Sequence, residues 1–148
     1  MTIKEKITED MKTAMREQNR DRLATIRLIL AALKQREVDE RITLTDDHVL
    51  AILDKMMKQR RESIAQFEVA NRKDLVDKEV AEIQVIQEYL PAQLSASEID
   101  ALIDAAIQET GAASARDMGK VMAILKPKVQ GRTDVAALSN KVKDRLSA

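Results

Sequence analysis

Apolar residues recur along nearly the whole chain at steps of three and four, the period of helices with one buried face. Thr2-Ile3-Lys4-Glu5 has the Thr-x-x-Glu form of a capping box and opens a first stripe of Ile3, Ile7, Met11 and Met15. A second stripe runs through Leu23, Ile26, Ile29/Leu30 and Leu33 and ends among charged residues near Arg41. Thr45-Asp46-Asp47 supplies an N-cap and an acidic first turn for a third, long helix. Its inward face is Val49, Ile52/Leu53, Met56/Met57, Ile64 and Phe67; Asn71 breaks it, and Leu75/Val76, Ile83, Ile86 and Leu90 mark a fourth.

The segment from Tyr89 to Ser95, with Pro91 inside it, is the clearest boundary, because proline removes a backbone donor and biases Leu90 away from helix. Ser95-Ala96-Ser97-Glu98 restarts a capped helix with Ile99, Leu102/Ile103 and Ala106/Ile107 inward and Gly111 as its C-cap. Ser114 starts the next helix, with Met118, Val121/Met122 and Leu125 on one face and Pro127 and Gly131 closing it. Thr133-Asp134 starts the last, with Val135, Leu138, Val142 and Leu146 inward. The pattern predicts an all-α protein: an N-terminal helical bundle over residues 1–90, then a small C-terminal three-helix domain over 95–148.

Composition sharpens this. The chain has 148 residues, 45% of them hydrophobic, enough for a real core. Phe67 and Tyr89 are the only aromatics, with three Gly and two Pro, too few turn-formers and β-formers for a β-domain. The absence of cysteine excludes disulfides, thiol nucleophiles and zinc knuckles, and a single histidine, His48, excludes paired-His metal motifs. No apolar run approaches the roughly 18–20 residues that span a bilayer, and the N-terminus lacks a signal-peptide core. These features predict a cytoplasmic protein without metal, cofactor or membrane.

Charge is neutral overall, 25 bases against 25 acids, but segregated near the C-terminus. Residues 95–118 are acidic through Glu98, Asp100, Asp104, Glu109 and Asp117. The last stretch is basic through Lys120, Lys126, Lys128, Arg132, Lys141, Lys143 and Arg145. Lys120, Lys126, Lys128 and Arg132 flank a turn, and Lys141, Lys143 and Arg145 fall on the exposed side of the last helix. Such a cluster neutralises backbone phosphates; it is equally what an ordinary solvated helix end carries. With so few aromatics to stack single-stranded bases, any RNA it takes is folded and read by backbone and shape.

Catalytic chemistry is thin. His48 beside Asp46 and Asp47 reads as a helix-start residue rather than a general base, since no nucleophile lies at a recognisable spacing. No serine sits in a Gly-x-Ser-x-Gly elbow and no Gly-rich loop could cradle phosphate. Lys55, Lys58, Arg60 and Arg61 form a basic run best read as the charged flank of a core helix. Arg27, set in an apolar stretch, is expected half-buried with a carboxylate from another helix.

Four segments together resemble the YqeY family (GatB/YqeY-like), small bacterial proteins similar to the C-terminal tail of the B subunit of the tRNA-dependent amidotransferase. They are Arg20-Asp21-Arg22-Leu23 with Ile26-Arg27-Leu28, Arg72-Lys73-Asp74-Leu75 through Glu79, Glu88-Tyr89-Leu90-Pro91-Ala92-Gln93-Leu94-Ser95, and Asp117-Met118-Gly119-Lys120-Val121-Met122 followed by Gly131-Arg132-Thr133-Asp134. The chain departs from the family pattern at Ile26, usually Leu, and at Val135, often Gly. The resemblance implies a two-part helical fold and a tail that helps hold tRNA while other domains do the chemistry. It also carries the family label of carbon–nitrogen ligase activity with glutamine as amido-N-donor. Neither the Ser/Lys amidase site nor the ATP-binding domain of that complex is recognisable here, so the expectation is a non-catalytic protein that contacts tRNA. The alternative is a protein–protein adaptor docking on a larger enzyme or complex through an exposed apolar groove; Met-rich faces such as Met56/Met57 and Met118/Met122 fit either core packing or adaptable binding. Lys120 and Arg132 bracket the shared motif as phosphate contacts, and Gly119 suits a close approach of helix or RNA. Tyr89 is expected to pack its ring between the two parts with its hydroxyl in water.

Overall fold

In the computed structural model, which describes residues 1–147, Thr2 caps the first helix by accepting from Glu5 N–H while the Glu5 carboxylate accepts from Thr2 N–H. That reciprocal box satisfies two amide groups the helix itself cannot, and α1 (Ile3–Arg16) follows. Asn19 caps α2 (Arg20–Glu40) through its side chain on Arg22 N–H. Thr45 caps α3 (Asp46–Val69), and Asn71 at φ 56 turns the chain into α4 (Lys73–Gln87). α1 packs along α2 and α3 along α4, while α2 also meets α3 and α4. Ile7, Ile26, Ile29, Leu33, Leu53 and Ile86 are fully buried at the centre of this first unit, Met1–Pro91.

The second unit, from Ala92 onward, has its own core. Ser95 and Glu98 form the capping box of α5 (Ala96–Thr110), and Gly111 ends it in the left-handed region at φ 67. A short 3-10 turn (Ala115–Asp117) leads into α6 (Met118–Val129), and α7 (Val135–Ser147) closes the described chain. Ile103, Val121, Leu125, Val129, Leu138 and Val142 meet at its centre. The described residues contain helices and turns and no strand, so the all-α class stands.

Four local expectations are corrected. Met15 is 50% exposed, because it lies about 80° round α1 from Ile7, while Ala14, about 20° away, takes the core-facing place. Ile64 and Phe67 are half-buried, since no residue from 58 to 82 joins the core cluster. Pro127 does not close α6, which runs on to the fully buried Val129; Ala123, whose carbonyl loses the amide partner, is exposed. Tyr89 belongs to the first core, with its hydroxyl on Asp10 Oδ2 at 2.6 Å rather than in water.

Candidate functional site

The acidic and basic halves of the second unit are partly consumed by one another. Lys141 and Arg145, one turn apart on α7, face Asp100 and Asp104, one turn apart on α5. Lys143 lies between them in sequence, about 200° round the helix, and therefore points away from α5. Among the described residues it is exposed and has no carboxylate partner. Lys126 and Lys128 occupy the last turn of α6, where the helix dipole favours cations; both are exposed and unpaired.

Arg132 has a structural task. It follows Gly131 at φ 73, and its Nε donates to the Ala92 carbonyl at 3.1 Å. Its own carbonyl accepts from Leu94 N–H at 2.9 Å, and Gln93 donates to the Gly131 carbonyl at 3.0 Å. The chain entering the second unit is thereby clipped to the α6–α7 turn. Lys120, in the first turn of α6, is loosely held with Nζ 3.9 Å from Asp117 Oδ1. Asp117 in turn accepts the Ala113 N–H, which holds its carboxyl below the ordinary carboxylate range.

The predicted phosphate contacts thus divide by geometry. Lys126, Lys128 and Lys143 are free to meet an anion, Lys120 is weakly paired, Lys141 is opposed by Asp100, and Arg132 is anchored to backbone. Gly119 beside Lys120 is exposed, and a Cβ there would meet nothing within 4 Å, so no helix crossing requires it. The second unit holds no aromatic side chain at all.

Elsewhere the candidates resolve into structure. His48 completes the α3 capping box, its Nδ1 accepting from Thr45 N–H at 3.1 Å. Arg60 pairs with Glu82 at 3.0 Å and donates to the Met56 carbonyl, tying α3 to α4. Met56, Met57 and Met122 are buried and Met118 is half-buried against the second core, so these side chains serve core packing. Arg27 is exposed and has no ion-pair partner among the described residues, since the helix turns it away from Ile26 and Ile29. Sequence reading missed the cluster of Asp10, Arg22, Glu88 and Tyr89. Arg22 pairs with Glu88 and lies 3.9 Å from Asp10 Oδ2, and Lys6 stands over the Tyr89 ring. Arg22, Glu88 and Tyr89 lie within segments that carry the family resemblance, but Asp10, Arg22 and the Glu88-Tyr89 pair come from three distant stretches of chain, and spacing along it does not signal that they meet.

A family model described as Yqey-like protein matches residues 4–146. "Altered inheritance of mitochondria protein 41, mitochondrial" of Pyrenophora tritici-repentis is 34% identical over 97% of this chain and 80% of its own length. The protein of the same name from Eremothecium gossypii is 41% identical over 70% of this chain and 58% of its own. An "Uncharacterized protein" of Schizosaccharomyces pombe is 31% identical over 63% of this chain and 72% of its own. The chain therefore spans four-fifths of the Pyrenophora relative but just over half of the Eremothecium one. The mitochondrial names overturn the expectation of a cytoplasmic protein. That expectation rested on a missing signal-peptide core and a missing apolar span, and organelle import uses neither, depending instead on amphipathic, Arg-rich leaders.

Proposed function

The chain belongs to the YqeY-like family, and on that premise we propose that it is a non-catalytic RNA-contacting protein whose second unit engages the phosphate backbone of folded tRNA. The observation that carries this reading is three cations of the basic stretch, Lys126, Lys128 and Lys143, exposed and without a carboxylate partner among the described residues, while α5 sets Asp104 against Arg145 and, more loosely, Asp100 against Lys141. Cations in this state lose little on meeting a phosphate, because no internal ion pair has to break. The absence of aromatics from the unit favours structured RNA over single strands. The resemblance to the amidotransferase B-subunit tail, carried by the Tyr89-Leu90-Pro91 and Gly119-Lys120-Val121-Met122 segments, points to tRNA among structured RNAs.

The test is binding of total tRNA to the full chain at about 50 and 200 mM salt. The expected result is steep weakening with salt and loss of binding in Lys126→Glu/Lys128→Glu/Lys143→Glu, with the salt slope lowered by about one per contact removed. Lys141→Glu should weaken binding less, since Asp100 already opposes that charge. No binding at low salt, or a triple variant that binds like the parent, overturns the reading.

A further inference from the structure

The outer face of α2 carries a pattern that neither the core nor RNA contact explains. Arg20, Ala24, Arg27, Ala31, Lys34 and Val38 follow one another at steps of four and three. At 100° per residue all six fall within an arc of about 80°, opposite the buried Ile29. This is the spacing of a coiled-coil seam, with cations along one row and small or branched apolar residues along the other. The seam is about 27 Å long at 1.5 Å per residue, enough for a partner helix of five turns.

Each seam residue is exposed, and Arg20, Arg27 and Lys34 have no ion-pair or hydrogen-bond partner among the described residues. Val38 is 62% exposed and Leu28, at the edge of the face, 47%. The groove toward α1 continues this surface. At one end Leu30, Lys34, Val38 and Ile42 form a hollow with the Lys4–Glu37 pair, and at the other Met15, Gln18 and Leu23 form one with Arg20.

The acids of α2 are turned away or already engaged. Glu37 holds Lys4 at 2.5 Å, Glu40 holds Arg36, Asp39 accepts from Gln35, and Asp21 lines the groove toward α4. No carboxylate therefore lies in the seam. A second copy using the same face would set cations against cations. A phosphate backbone would leave Ala24, Ala31, Leu28 and Val38 uncovered. We propose that this face of the first unit docks an acidic amphipathic helix of a protein partner, with carboxylates opposite Arg20, Arg27 and Lys34 and apolar side chains over Ala24, Ala31 and Val38. Small residues at alternate seam positions let the partner backbone approach closely, and the aliphatic stems of the cations cover its flanks.

The experiment is titration of the full chain with a synthetic helical peptide carrying Glu and Leu at heptad positions, against a scrambled peptide of the same composition, followed by amide chemical shifts. Saturable shifts confined to α1 and α2, absent with the scrambled peptide, are expected. Arg27→Glu/Lys34→Glu should weaken binding by about tenfold or more, and so should Ala31→Glu, while Lys126→Glu/Lys128→Glu leaves it unchanged. All of these sites are exposed, and helical circular dichroism checks that the variants remain folded. Equal binding of the scrambled peptide, shifts outside α1 and α2, or indifference to Arg27→Glu/Lys34→Glu would overturn the proposal. Displacement of the peptide by tRNA with tRNA-induced shifts on α2 would also overturn it, assigning the face to RNA. The tRNA reading rests on other residues and stands or falls separately.

Discussion

The phenol of Tyr89 donates to Asp10, and burial pushes its pKa up, with the bond to Asp10 acting in the same direction. An unfolded tyrosine titrates near pH ~10. The folded chain keeps its proton to higher pH, so this contribution to stability is complete below that value and fades as pH rises past it. Tyr89→Phe should cost about 1–2 kcal/mol at neutral pH by urea denaturation. The gap between variant and parent should then narrow in the alkaline range. A gap that stays constant with pH would show that the cost is packing and not the hydroxyl. None of this was legible locally: a Tyr-Leu-Pro segment announces a chain boundary, while the partner lies 79 residues away on α1. His48 shows the opposite case. Its role is set by residues three apart, so Thr45 and His48 were readable as a helix start.

At the scale of elements, the helices were legible because each depends on neighbours within a few residues. Thr2, Thr45 and Ser95 cap where their sequences say, and the left-handed Gly111 ends α5. Pro127 misled because its penalty is local while the burial of Val129 that opposes it is tertiary. Two of the three glycines, Gly111 and Gly119, should respond oppositely to alanine. Gly111→Ala forces a Cβ into the left-handed region at φ 67 and should destabilise by about 1 kcal/mol. Gly119→Ala meets no atom within 4 Å in a right-handed turn and should stabilise by about 0.5 kcal/mol. Thermal melts of the two variants, read by circular dichroism, check both signs.

At the scale of the molecule, each unit encloses a separate set of buried side chains. A fragment of residues 92–148 is expected to be helical and to melt cooperatively by circular dichroism. Leu125→Ala, at a position with no exposure, should abolish that transition, since about 2–5 kcal/mol is most of what so small a unit can hold. A fragment without helix would mean that the second core needs the first unit. What the sequence determined by itself was the helical class, the caps, the buried stripes and the family, because period, capping and composition act within a few residues of each position. Tertiary structure decided which charges remain available. Lys141 and Lys143 are two residues apart and alike in sequence, yet α5 occupies one and leaves the other free. Arg27 sits among apolar residues and Arg60 in a basic run, yet Arg27 faces outward and Arg60 meets Glu82 across the hairpin. Whether a charge is free to bind depends on what another helix places within 4 Å of it, and that pairing is written in the packing of helices rather than in the neighbours along the chain.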